Sequence, residues 1–264
     1  MGNRQLALTI IIIAGNEQEM ITDCLKSALF VKNIILVAAN SSDSTVNIAK
    51  KIYPAIKIIT VNDEYGKNFA KWHNIGLKNA NTEWIYYLDA DERITTKLAK
   101  EIVDTIKFPK NNYYVNPRQN YYLGKLVKHG GAYPDYVKRL FKRSDLKEWT
   151  GILHEEPHIT GPLGYLKNPL IHYTHRDLSS MIQKTLIWTE MEALALYKTN
   201  HPPVVWWRIL RMMFTTFVHR FIMQQMWKDG TVGIISVFYE SFDTFIIYSR
   251  LWELQQNDKN SRHL

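Results

Sequence analysis

Trp84-Ile85-Tyr86-Tyr87-Leu88-Asp89-Ala90-Asp91-Glu92-Arg93 is the stretch that decides the fold. Its first five residues are apolar or aromatic, long enough for one buried strand, and they stop at two carboxylates one residue apart. In a strand, residues i and i+2 face the same way. Strand geometry carried to the end of the run would project Asp89 and Asp91 together beyond the sheet edge. Two hard oxygen ligands on one side suit a divalent cation that also holds phosphates. Asp-x-Asp alone does not separate that reading from a strand that simply gives way to a helix at acidic residues.

Upstream, residues 6–13 form a continuous isoleucine-rich run, the pattern of a strand covered on both faces. Met20, Ile21, Cys24, Leu25 and Ala28 then repeat at helical spacing. Residues 33–37 read as a second strand, and Ser41-Ser42-Asp43-Ser44 offers N-cap side chains to a helix carrying Val46, Ala49 and Ile52. A third strand is expected over 56–61, and a helix marked by Phe69, His73, Leu77 and Ala80. After the acidic stretch, Thr95 or Thr96 can cap a helix with Leu98, Ile102 and Ile106. This alternation predicts an α/β fold with a mostly parallel sheet and helices on both faces. Ligands of such sheets bind beyond the carboxyl ends of the strands. Asn16-Glu17, Ser41-Ser42-Asp43 and Asp89/Asp91 are therefore expected around one crevice. No G-x-G-x-x-G follows the first strand and no G-x-x-x-x-G-K-[ST] occurs, which argues against dinucleotide oxidoreductases and P-loop enzymes.

Asn16-Glu17, the S-x-D-x-T run from Ser41 to Thr45, Lys67-Asn68 with Lys71 and Asn74, and Leu88-Asp89-Ala90-Asp91-Glu92-Arg93 together resemble a family 2 glycosyltransferase. The resemblance implies the GT-A fold, a nucleotide-sugar donor (a UDP-sugar first), inversion at the transferred sugar, and a divalent metal, Mn2+ or Mg2+. It implies donor contacts from Asn16, Glu17, Asn40, Asp43, Lys67, Lys71, Asp89 and Arg139. Asp91, Asp89 and a late histidine, His172, would serve the metal. One departure stands out. Family members commonly carry an Asp near the end of the second strand, where this chain has Ala38 in Val37-Ala38-Ala39-Asn40.

Residues 113–175 turn short, aromatic and rich in turns. Arg139-Leu140-Phe141, His154-Glu155-Glu156 and Ile171-His172-Tyr173 resemble, in that order, the family 2 subgroup that elongates the lipopolysaccharide inner core. That implies a glycolipid acceptor. Inverting transfer needs a base ionised near neutral pH within reach of the acceptor hydroxyl. Glu155 is the first candidate, with Glu156 and Asp135 in reserve.

The catalytic domain is expected over 1–176, with a nucleotide-sugar half at 1–110 and an acceptor half at 111–176. A helical region at 177–255 and a frayed tail at 256–264 complete the chain. Within 178–198, Leu178, Ile182, Leu186, Ala193 and Leu196 are expected to face a core. Residues 204–252 mix Trp and Phe with Arg and Lys, but Arg208, Arg211, His219 and Arg220 interrupt the first apolar run, and Glu240 and Asp243 the second. The pattern suits amphipathic helices lying in a headgroup region, or packing on another subunit, better than membrane spans. The chain of 264 residues has a net charge of +8. That charge fits anionic lipid or phosphorylated substrates, and no nucleic-acid-binding motif is found. Cys24, the single cysteine, excludes an internal disulfide, is read as a buried structural thiol, and fits a reducing compartment. The expected location is the cytoplasmic face of a membrane. Two rival readings stand: a sugar-nucleotide-binding member without turnover, motivated by Ala38, and a nucleotidyltransferase.

Overall fold

The computed structural model describes residues 6–62, 68–151 and 155–261, with side chains to residue 257. The chain divides into two compact units, one of residues 1–118 and 135–172, the other of residues 119–134 and 173–264.

The first unit opens with β1 (Leu8–Ala14), α1 (Ile21–Ala28), β2 (Asn33–Ala39), α2 (Thr45–Ile52), β3 (Lys57–Val61), α3 (Phe69–Asn79) and β4 (Trp84–Asp89). It continues through β5 (Glu92–Ile94), α4 (Thr96–Lys107) and β6 (Tyr113–Tyr122), whose last residues run into the second unit and pair there with β7 (Lys125–Leu126). β8 (Asp135–Lys142), β9 (Leu146–Thr150), β10 (Glu156–Ile159), β11 (Leu163–Tyr165) and β12 (Leu170–His172) complete it. The main sheet runs β3-β2-β1-β4-β8-β6-β12-β5. Its first four strands are parallel, and β8 and β6 extend it antiparallel. This is the α/β, GT-A-type arrangement expected from the sequence.

The isoleucine run is buried on both faces because the parallel strands lie between two helical layers. Ile10 and Ile12 join Leu36, Ala38, Leu25 and Ala49 in one core, while Ile11 and Ile13 join Val37, Ala39, Ala70 and Leu77 in another. Ala38 is fully buried in the first of these. Gly76 lets α3 seat closely, since a Cβ there would lie 2.5 Å from Ile11 Cγ2. The cap of α2 differs from expectation: Ser44 makes no side-chain cap bond, and Asp43 Oδ1 instead accepts from Thr45 N at 2.9 Å. Thr95 caps α4 as expected, accepting from Leu98 N at 3.1 Å.

The second unit contains the β6–β7 hairpin end, α5 (Leu178–Lys198), α6 (Trp206–Val218) and α7 (Thr231–Ser261). It includes residues 119–134 and 173–176, which the sequence reading gave to the acceptor half of the catalytic domain. The reason is local packing. Val127 and Ala132 are buried with Met226, Val232 and Val237, and Asp229 accepts from Lys128 N at 3.1 Å and His129 N at 2.8 Å. α5 also turns a different face inward than expected. Met181, Thr185, Thr189 and Ala193 are buried, whereas Leu178, Ile182 and Leu186 are exposed. Thr185 and Thr189 can face inward because each hydroxyl has a partner, Asp243 for Thr185 and the Thr185 carbonyl for Thr189. The stretch Thr231–Asn257 of α7 is long and apolar enough, by length and composition, to cross a membrane.

Candidate functional site

The carboxyl ends of β1, β2 and β4 define the candidate site. Gly15 lets the first connection approach β2, because a Cβ there would meet the Ala39 carbonyl oxygen at 2.4 Å. Asn16, at φ 55°, then ties the first two connections together. Its Oδ1 accepts from Ser42 N at 2.9 Å and Asp43 N at 3.2 Å. Asp43 reciprocates, accepting from Gln18 N at 3.0 Å and from the Thr45 hydroxyl at 2.5 Å. Partial burial works to raise the Asp43 pKa, but bonds from Thr45, Gln18 and Ser41 outweigh it and hold the carboxyl below its usual range. Asn16 and Asp43 thus brace the loops that would receive a donor.

The Glu17 carbonyl accepts from Met20 N and Ile21 N, both at 2.9 Å, and so opens α1. Asn40, at φ 48° and exposed, fixes its backbone by donating to the Val61 carbonyl at 2.8 Å. Lys71 is exposed in the first turn of α3, where its N–H bonds the Asn68 cap at 2.9 Å. Lys67 and His154 lie outside the described residues.

Strand geometry does not persist through the acidic stretch. β4 ends at Asp89, Ala90 and Asp91 form a turn, and β5 begins at Glu92. The turn directs the two aspartates to different partners. Antiparallel pairing of β5 with β12 sets His172 opposite Glu92, and His172 Nε2 lies 3.3 Å from Asp91 Oδ2. Asp89 Oδ2 instead meets the guanidinium of Arg139 from β8. The expected trio of Asp89, Asp91 and His172 therefore resolves into an Asp91–His172 pair and an Asp89–Arg139 ion pair.

Arg139 is not a surface cation awaiting phosphate. It is buried, and the Nη2 that meets Asp89 also donates to Glu92 Oε1 at 2.6 Å. Glu92 is fully buried, receives Arg118 Nη1 at 3.3 Å and accepts from Asp89 N at 3.1 Å. Burial, reinforced by Asp89, raises the Glu92 pKa against the opposing pull of Arg139 and Arg118. Burial also opposes the Arg139 charge, yet Asp89 and Glu92 prevail and its pKa is raised. Glu92 and Arg118 are the residues that sequence reasoning missed as part of this site. An arginine followed directly by Leu140 and Phe141 on a buried strand was the available signal, since a buried cation requires a buried carboxylate.

The base candidates separate by environment. Asp135 Oδ2 is clamped by Arg118 Nε at 2.8 Å and Nη2 at 2.7 Å. Glu156 is exposed and pairs with Lys138 Nζ at 2.5 Å. Glu155 is half-buried, immediately before β10. Cys24 is buried and donates to the Asp89 carbonyl at 3.4 Å, and burial pushes its thiol pKa up, as a structural role requires.

Among the described residues, no group of three or more His, Cys, Asp or Glu side chains converges as a ready metal site. Asp91 and His172 still fit a Mg2+ or Mn2+ ion bound with a nucleotide diphosphate. Such ions take one or two protein ligands and complete their shell with phosphate oxygens and water. A carboxylate oxygen and an imidazole nitrogen already face one another here.

The chain is similar to known proteins. Residues 9–162 match the family described as Glycosyl transferase family 2. Glycosyltransferase SunS of Bacillus phage SPbeta is 31% identical over 206 residues, covering 73% of this chain but 46% of its own. The Escherichia coli UDP-Glc:alpha-D-GlcNAc-diphosphoundecaprenol beta-1,3-glucosyltransferase WfaP is 33% identical over 117 residues, 41% of this chain and 46% of that protein. The chain thus spans about half the length of these two relatives. The lipopolysaccharide core biosynthesis glycosyltransferase LpsC of Rhizobium meliloti is 21% identical over 261 residues, 94% of this chain and 93% of its own.

Proposed function

Because the chain belongs to glycosyl transferase family 2, we propose that it moves a hexose, with inversion, from a UDP-sugar to a glycolipid such as a lipopolysaccharide core intermediate. The observation that carries the reading is the Asp91–His172 pair beside the end of β4. The braced loops after β1 and β2 would cradle the nucleotide. Asp91 and His172 would hold a divalent ion, with Asp89 toward the donor sugar or ribose. The ion would supply Lewis-acid stabilisation of the leaving diphosphate. Arg139 and Glu92 would orient Asp89, and Glu155 would accept the acceptor hydroxyl's proton. Lys67 and Lys71, the expected donor contacts, would meet the donor's phosphates.

The acceptor class is supported by relatives named for lipid-linked and lipopolysaccharide substrates. It is supported too by α6, whose Trp206 is 75% and Phe214 64% exposed. Arg208 and Arg211 lie 5.7 Å from the Trp207 ring, and Lys228 lies 5.7 Å from that of Trp227. Aromatic rings with basic neighbours suit a headgroup layer, and the positive charges favour anionic lipid. The proposed location is peripheral, on the cytoplasmic face of a membrane. Self-association of these helices is the competing use of the same face.

Product analysis tests the reading. UDP-glucose incubated with Mn2+ and a lipopolysaccharide core acceptor is expected to yield UDP and a lengthened acceptor. In a parallel reaction with UTP and glucose 1-phosphate, release of pyrophosphate with formation of UDP-glucose would identify a nucleotidyltransferase instead. Donor binding without either product would identify a non-catalytic member, the reading that Ala38 motivates.

A further inference from the structure

We propose that the helical unit carries a second, non-catalytic binding site, selective for a neutral pyranose, in the cavity between α6 and α7. The cavity has a volume of about 680 Å3, within the range of small-molecule sites. It depends only on the second unit, so it stands or falls separately from the transfer chemistry proposed above.

Two polar stripes of equal spacing line it. α6 and the turn after it supply Thr215, Thr216, His219 and Arg220, and α7 supplies Tyr239, Glu240, Asp243 and Thr244. Each set follows i, i+1, i+4, i+5, the spacing of one helix face. The α6 stripe ends in a π-helical turn, His219–Met223, closed by Gln224 N donating to the His219 carbonyl at 2.9 Å. Single π-turns of this kind cost regular helix geometry and recur at functional sites.

The charges are largely accounted for within the protein. Arg220 Nε pairs with Glu240, and its Nη1 donates to the Gly130 carbonyl at 2.5 Å and Gln224 Oε1 at 2.7 Å. Asp243 accepts from the Thr185 hydroxyl at 2.6 Å. The Arg220–Glu240 pair is partly exposed, its side chains at 33% and 22%, and such a pair contributes little to stability. Arg220 is met by Glu240, and Asp243 adds a carboxylate held by hydroxyls, so an anion is not the best match. Hydroxyls and imidazoles that both donate and accept, beside a carboxylate that accepts, fit a ligand bearing many hydroxyl groups. Tyr239 and His175, with ring centroids 5.5 Å apart, give one wall an aromatic surface for the carbon face of a sugar ring.

Saturation-transfer NMR and calorimetry on the full chain test this, with the methyl glycosides of glucose, galactose and mannose as probes. At least one should bind saturably. Thr216→Val and Asp243→Asn, each close to isosteric, should weaken it about tenfold, as expected for a hydrogen bond to a well-oriented partner. His219→Trp should fill the cavity and abolish binding. Saturating UDP with Mn2+ should not displace the glycoside. Absence of saturable binding for all three probes would overturn the proposal. So would binding that survives Thr216→Val and His219→Trp in proteins with unchanged melting curves, or displacement by UDP, which would assign the sugar to the donor site.

Discussion

Replacing Arg139 with Met removes the cation that neutralises Glu92 without emptying the space it fills. Glu92 is fully buried, and the Arg139 side chain is 8% exposed. Removing one member of such a pair typically costs ~3–5 kcal/mol, because the remaining charge is left in a poor solvent. Two features set the expected figure near the lower end, about 3 kcal/mol at pH 7. Arg118 still lies 3.3 Å from Glu92, and Asp89, 37% exposed, can be hydrated once released. That loss is large against the ~5–15 kcal/mol that holds a typical domain folded. The penalty must also depend on pH. The folded-state pKa of Glu92 is raised above its ordinary value. A carboxyl shifted that way stabilises the fold when protonated. Its contribution is complete below the unfolded pKa of ~4.3 and is lost as pH rises through the folded value. Losing Arg139 raises that value further, so Arg139→Met should cost less at pH 4 than at pH 7. Adding Glu92→Gln removes the stranded charge and should recover at least half of the loss at pH 7. Urea unfolding followed by circular dichroism, run as a double-mutant cycle at both pH values, measures all of this. A cost below ~1 kcal/mol at pH 7, or a double variant no more stable than Arg139→Met, would refute the network.

Three further outcomes follow from the same structure. Gly15→Ala forces a Cβ against the Ala39 carbonyl; it should cost about 1–3 kcal/mol by overpacking and raise KM for the donor more than it lowers kcat. A thiol reagent such as Ellman's should leave Cys24 unmodified in the folded chain and titrate one thiol in guanidinium, because burial raises the thiol pKa. In flotation with vesicles containing anionic lipid, Trp206→Ser/Trp207→Ser/Phe214→Ser should lose binding, and high salt should release the wild type; salt-resistant binding would point to α7 crossing the bilayer instead.

The parallel half of the sheet was legible in the sequence because each strand is sandwiched between helices and so reads as an unbroken apolar run. Ile10 to Ile13 is the clearest case. The antiparallel extension was harder to read, since β5 and β12 are three residues each and gain their meaning from pairing distant in sequence. That pairing sets His172 beside Asp91, an association the sequence offered only through resemblance. The turn at Ala90–Asp91 was hidden for a different reason: alternation within a strand says nothing about where the strand ends. The inward face of α5 was misread because its buried hydroxyls, Thr185 and Thr189, look polar until their partners are known. The burial of Arg139, expected only as a donor contact, was hidden because the carboxylates that hold it, Asp89 and Glu92, stand about fifty residues upstream.

The central claim is that Asp91 and His172 hold a divalent ion together with the diphosphate of the donor. Electron paramagnetic resonance of Mn2+ titrated into the full chain, with and without UDP, tests it most directly. The account predicts weak binding alone, tightening on addition of UDP, and loss of that tightening in both Asp91→Ala and His172→Ala. Mn2+ binding that ignores UDP, or that is unchanged in the two variants, would contradict it.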